Sequence, residues 1–110
     1  DEWVSGTYDC VLVLHFLGIW SVDKVMYIMN KSYEKLKPGG TLIWACPTYD
    51  EHFSGPLHAG VNSAYMHCCV GGKGRMRTVS EWQDIAHKAN FKNFVDFHGP
   101  KTDHWFVVTK

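Results

Sequence analysis

Neither sign of charge predominates in this chain: its eleven basic and eleven acidic residues cancel. No basic stripe interrupts it, which argues against nucleic acid and against an anionic membrane surface, since both are bound through clustered cations. Long hydrophobic runs are lacking too. The longest, Cys10 to Trp20, contains His15 and is too short to cross a bilayer. No signal-peptide layout is visible, and a cytoplasmic protein is expected. Spaced cysteine pairs are also missing. Cys10, Cys46, Cys68 and Cys69 include no C-x-x-C, and adjacent Cys68 and Cys69 do not make the pattern of a disulfide framework. His67, Cys68 and Cys69 make a poor zinc site, because consecutive side chains on a helix point about 100° apart. Reduced, buried thiols and no bound metal are the expectation. There are no internal repeats, low-complexity tracts or dividing linkers, so the 110 residues read as one domain or part of one.

What the chain does have is core material: 45% of its residues are apolar and 15% aromatic, which excludes disorder. Cys10-Val11-Leu12-Val13-Leu14 is a continuous apolar run and reads as a strand buried on both faces. Ser21 offers an N-cap to a helix whose apolar face is Val22, Val25, Met26, Met29, Tyr33 and Leu36. Lys35 and Lys37 suit its C-terminal dipole, and Pro38-Gly39-Gly40 stops it. Thr41 to Cys46 is a second buried strand. Strand, helix and strand within about forty residues make a βαβ unit with a right-handed crossover. Pro47 to Pro56 then forms a polar loop at the strand's C-terminal end, the edge where open α/β sheets bind ligands.

A helix is expected over 58–70, broken by Gly71-Gly72-Lys73-Gly74. That glycine stretch follows a helix and lacks the Lys-Ser/Thr ending of a phosphate loop, so it is not one. Thr78-Val79-Ser80-Glu81 is a capping box, and Glu81 is read as a cap alone. Its helix runs through Trp82, Ile85, Ala86 and Ala89 to Asn90. Segments near 93–97 and 104–109 follow as an antiparallel pair.

Tyr8-Asp9 before one apolar strand and Leu36-Lys37-Pro38-Gly39-Gly40 before the next resemble the pattern flanking the fourth and fifth strands of class I S-adenosylmethionine-dependent methyltransferases. Residues 71–82 with Ala89-Asn90-Phe91 resemble the glycine-rich "RT-x-x-E-W … A-G-F" stretch of the small-molecule O-methyltransferases, the plant phenolic and acetylserotonin enzymes among them. Asp1-Glu2-Trp3-Val4-Ser5 resembles their "D-M-F-V-S". The resemblance covers nearly the whole chain. It implies an α/β fold, the second half of a Rossmann-like sheet, mainly parallel with a C-terminal antiparallel pair. Residues 1–110 would be the C-terminal part of a catalytic domain whose cofactor-loop half is absent.

The resemblance also implies a function: methyl transfer from S-adenosyl-L-methionine to a small-molecule acceptor, at oxygen. It implies a homodimer through an N-terminal region that this chain does not contain. Asp1, Glu2 and Leu14 would border the cofactor, with Asp1 accepting from the adenine amino group or standing as an ordinary charged residue at a loop start. Trp20, Tyr65 and Met66 would line the acceptor site, Met66 like the methionine set against the phenolic ring, or would be core.

The family's base, the histidine of "H-D-W-S-D", falls at Gly18. Its two glutamates fall at Cys46 and at about Gly74. All three positions differ, which argues against the plant mechanism as such. His15, three residues before Gly18, is the candidate substitute: a neutral imidazole there could take the acceptor's proton. The competing reading is a histidine packed and bonded to backbone. Asp50, Glu51, His52 and His58 would shape the acceptor pocket or be plain loop polarity. Two rival functions stay open. One is a catalytically silent domain kept for binding or dimerisation, and the other is transfer to carbon or nitrogen on the same fold.

Overall fold

The computed structural model describes residues 3–99 and 103–110. Its strands are β1 (Tyr8–Leu14), β2 (Leu36–Tyr49), β3 (Arg77–Thr78), β4 (Lys92–His98) and β5 (Asp103–Thr109). The helices are α1 (Val22–Lys35), α2 (Leu57–Cys69) and α3 (Val79–Lys88). The sheet order is β1-β2-β5-β4, with β3 on the end of β2. β1 and β2 run parallel, and β5 is antiparallel to both β2 and β4. The expected neighbours, 9–15 beside 41–46 and 93–97 beside 104–109, are found.

Local chemistry explains the element ends. The Ser21 side chain accepts from the Lys24 N–H at 3.4 Å and opens α1. Its buried stripe is Val25, Ile28, Met29 and Ser32, while Val22 is exposed. Leu36 has left the helix and is the buried first residue of β2. Lys110 closes the other end: its ammonium donates to the Tyr33 and Leu36 carbonyls, both at 2.7 Å, alongside the Leu36 N–H that also reaches the Tyr33 carbonyl. Lys37 pairs with Asp9 at 3.0 Å rather than with the helix end. A Cβ at Gly40 would stand 3.1 Å from the Asp9 carbonyl, so glycine lets β2 close onto β1.

The capping box at α3 forms as expected: Thr78 Oγ1 accepts from the Glu81 N–H, and Glu81 Oε2 accepts from the Thr78 N–H. Arg75 adds a two-pronged contact to the same carboxylate, so Glu81 is more than a cap. α3 stops at Lys88, before Asn90. Asn90 takes φ 66°, and the Phe91 N–H returns to the Ala86 carbonyl at 3.1 Å. That reversal needs a left-handed residue, which explains asparagine where the family pattern has glycine.

Three expectations are corrected. β1 is not buried on both faces: Leu12 and Leu14 are 57% and 46% exposed, because β1 is the sheet's edge strand within this chain. The loop after the second strand begins later than Pro47, since β2 runs on to Tyr49 with Thr48 and Tyr49 paired to β3. The thiols are free, yet only Cys46 is buried, Cys10 facing outward on that open strand and Cys68 and Cys69 ending α2. Among the described residues no group of histidine, cysteine and carboxylate side chains could hold a metal ion.

Candidate functional site

The C-terminal ends of β1 and β2 make one edge of the sheet, and the chain turns sharply there. His15 follows β1 with φ 48°, the left-handed region. Its N–H donates to the Ala45 carbonyl at 2.9 Å, continuing the β1–β2 ladder by one bond. A non-glycine residue held there costs roughly 1–3 kcal/mol, and such strain collects at functional sites. Histidine tolerates it better than most residues do.

Residues Leu17–Ile19 then form a 3-10 turn, which brings Gly18 over the end of β2. A cavity of about 120 Å³ opens between this turn, β2 and α2. It is lined by His15, Gly18, Cys46, Pro47, Asn62, Met66 and Met76. Gly74 abuts the turn: a Cβ there would stand 2.4 Å from the Gly18 carbonyl oxygen. No side chain fits at 74 in this backbone, a glutamate least of all. The close approach to the backbone of residues 18 and 19 accounts for the departure at Gly74, while a Cβ at Gly18 would meet the Met76 Cε at 3.1 Å.

Cys46 does not replace the carboxylate that stands at its position in the family pattern. Burial pushes its thiol up to about 12; the Arg77 charge opposes that and the Asp103 carboxylate adds to it. A thiol this weakly acidic stays protonated at neutral pH and is neither base nor nucleophile. His15 is then the one side chain lining the cavity with the chemistry of a general base. Its backbone N–H is bonded to the strand, as the competing reading held, but its side chain is 56% exposed.

Arg77 supports the edge from behind. It is buried, and one of its amino groups donates to the Trp20 carbonyl at 2.9 Å. Its guanidinium lies 5.1 Å from the Trp82 ring centre. Burial lowers its pKa from the ordinary value, the neighbouring Arg75 lowers it further, and it stays charged. The turn bearing Gly18 is thus tied to the start of α3.

The other expected site residues scatter. Met66 lines the cavity with His15. Tyr65, one position earlier and so about 100° round the helix, is exposed and does not line it. Trp20 packs edge-on against Phe16 at 5.7 Å and lines a neighbouring groove with Trp3, Tyr27 and Ile28. Leu14 lines a third hollow, about 380 Å³, with Trp3, Phe16 and Ile28. Asp1 and Glu2 lie outside the described residues.

Asp50 closes its own turn, with its carboxylate accepting from Ser54 and from the His52 N–H, and Glu51 accepts from the Ser80 N–H at the start of α3. His58 stands in the first turn of α2. None of the four loop candidates lines the cavity. Sequence reasoning missed Asp103, Asn62 and Met76. Asp103 was legible in principle: an antiparallel return onto β2 brings the start of β5 to β2's C-terminal end.

The O-methyltransferase domain family matches residues 6–92. The L-tyrosine C(3)-methyltransferase of Streptomyces lavendulae is 26% identical over 114 residues, covering all of this chain and 31% of that protein. The flavonoid 4'-O-methyltransferase 4 of Mentha piperita is 28% identical over 103 residues, covering 86% of this chain and 30% of its own length. The structure of human N-acetylserotonin methyltransferase in complex with SAM superposes with a TM-score of 0.86 at 24% identity, over 93% of this chain and 29% of that one. The chain thus spans about a third of the length of the curated relatives it matches. On the match to residues 6–92, four-fifths of its length, the chain belongs to the O-methyltransferase domain family.

Proposed function

We propose that the protein containing this chain transfers a methyl group from S-adenosyl-L-methionine to a small phenolic or enolic acceptor, at oxygen, with His15 as general base. The observation that carries this reading is the place of His15: its imidazole shares a small cavity with Gly18 and Cys46, the positions where the family pattern has its base and a carboxylate. Residues 1–110 are the C-terminal part of the catalytic domain. The exposed apolar side chains of β1 and the turn after it, Leu12, Leu14 and Phe16, would be covered by the strands that carry the cofactor's glycine-rich loop.

The chain's own part in holding S-adenosylmethionine fits one wall only. Leu14, Trp3 and Phe16 present an apolar surface beside the end of β1, suited to a flat ring or to the carbons around a sulfonium. When bound, the sulfonium supplies a methyl group that is already electrophilic. What remains for the protein is to place the acceptor, exclude water and remove a proton. Met66 and Met76 give the cavity adaptable apolar sides. His15 takes the hydroxyl proton as the oxygen's electron pair turns to the new carbon bond.

Transfer to carbon is the second reading, favoured by the tyrosine C(3)-methyltransferase relative that matches the whole chain. The same base serves it, because deprotonating a phenol enriches its ortho carbon as well as its oxygen. The free thiols support a reducing compartment, for which we infer the cytoplasm. No helix among the described residues is long and apolar enough to cross a membrane.

Two measurements on the intact protein test the proposal. Calorimetry with S-adenosylhomocysteine should show saturable one-site binding. Incubation with S-adenosylmethionine and either L-tyrosine or a 4'-hydroxyflavone should yield a methylated product, whose NMR spectrum reports oxygen or carbon. Binding with no turnover across a panel of phenols, enols and carboxylates would establish the catalytically silent domain instead.

A further inference from the structure

The Nε2 atom of His15 lies 3.4 Å from the Oδ2 atom of Asp103, across the end of β2. The two come from different strands. His15 is anchored by its N–H to Ala45, and Asp103 is paired with Pro47, two residues further along the same strand. Asp103 faces the same way as Leu14 and Ala45, while His15 leaves that alternation at φ 48°, and its side chain meets Asp103 at the sheet's ligand-binding edge. Neighbouring strands stand about 4.8 Å apart, so β1 and β5 are two such spacings apart, and two side chains reaching inward over β2 close that span.

Asp103 has no other charged partner among the described residues. The Gly99 N–H fixes its own carbonyl at 2.8 Å, and the ladder to β2 fixes its backbone. Of the residues lining the cavity with His15, only Cys46 is titratable besides His15 itself, and it stays neutral. His104, next on β5, is occupied elsewhere: its Nδ1 lies 2.8 Å from the Asp96 carboxylate, and it stacks on Phe106.

We propose that Asp103 is the positioning residue for His15, taking over on β5 the role that the family's lost carboxylates played; the inference rests on His15 acting as the base. A carboxylate at Nε2 keeps the proton on that nitrogen and leaves the Nδ1 lone pair to accept the proton of the acceptor hydroxyl. It also stabilises the imidazolium once formed. The 3.4 Å separation is long for a hydrogen bond, and such contacts commonly tighten when ligands bind.

The test uses the intact protein with S-adenosylmethionine and L-tyrosine or a 4'-hydroxyflavone. Asp103→Asn should lower kcat at least tenfold with little change in KM. Asp103→Glu should restore part of the rate. If His15→Ala abolishes turnover but Asp103→Asn leaves kcat within twofold, this proposal fails and His15 remains the base. If neither substitution changes the rate, the reading of His15 fails first and takes this proposal with it. Where no acceptor is turned over, nitrogen NMR of the His15 ring decides: wild type should hold its proton on Nε2, Asp103→Asn should show a mixture of tautomers, and an unchanged tautomer overturns the proposal.

Discussion

The two sides of β2 are built differently. Towards β5 and α3 the chain closes on itself. Trp44, Trp82 and Phe106 are fully buried, with the Trp44 and Phe106 rings stacked at 5.0 Å and Trp44 and Trp82 tilted together at 5.8 Å. Towards β1 the sheet stays open, with Leu12, Leu14 and Phe16 each more than two-fifths exposed. The stability native to these 110 residues therefore belongs to the core that α1, β2, α3 and β5 close together, not to the outer face of β1. The candidate site lies on the seam, where the open strand's last residue meets the closed half's β2 and β5. A base mounted on the weaker side and oriented from the stronger side needs both to be in place.

Substitutions on each side of β2 should break or sharpen that contrast. The largest loss is expected at Trp82→Ala, about 3–5 kcal/mol by urea unfolding, because a large ring is removed from a closed cluster. Arg77→Ala should cost about 2–3 kcal/mol by the same measurement, through the lost bond to the Trp20 carbonyl and the lost packing on Trp82. Because Arg77 holds the turn above the cavity, this variant should also lose catalytic rate per folded molecule.

Glu81→Gln should cost about 1 kcal/mol at neutral pH. Burial by itself would raise the Glu81 carboxyl. The Arg75 hydrogen bond, the Thr78 N–H and the charges of Arg75 and Arg77 outweigh it and hold the group below its ordinary value of 4.5. A carboxyl held low in the folded state contributes its full stability above the unfolded value and loses it as pH falls through the folded one. The gap between wild type and Glu81→Gln, followed by thermal unfolding against pH, should therefore narrow below pH 4.5 and close in strong acid. A gap that widened in acid would contradict this.

The smallest effect belongs to the open side. Leu12→Ala should cost under about 0.5 kcal/mol in the chain by itself, where the side chain is more than half exposed. In the intact protein the same substitution should cost about 2–3 kcal/mol, if the cofactor-loop half covers that face. Equal costs in the two settings would mean that the face stays uncovered.

What the sequence made legible follows this division. Several elements announce themselves through local chemistry: Ser21 and Thr78 cap helices, Ala89-Asn90-Phe91 ends one, the alternation of Phe94 to Phe97 marks β4, and the apolar run from Trp105 to Val108 marks β5. The burial of β1 was misread because an apolar run carries no information on which neighbours are present. Exposed Leu12 and buried Leu42 look alike as letters. At the site, His15 and Met66 could be picked from spacing and resemblance. Asp103 could not be picked that way, since its meeting with His15 spans 88 residues and depends on the β2–β5 register. The glycine at 74 likewise has meaning only beside Gly18, through a close approach that no local pattern encodes.

The central claim is that His15 is the base, and one substitution separates its chemistry from its fold. His15 holds φ 48°, and asparagine tolerates that region at least as well as histidine. His15→Asn in the intact protein should therefore keep its melting temperature and its affinity for S-adenosylhomocysteine. Its single-turnover methylation rate should fall by roughly a hundredfold or more, the scale of a lost general base. In wild type that rate should decline in acid as the imidazole gains a proton, and the decline should be missing from the residual rate of the variant. A folded, cofactor-binding His15→Asn protein that methylates at the wild-type rate would contradict the account.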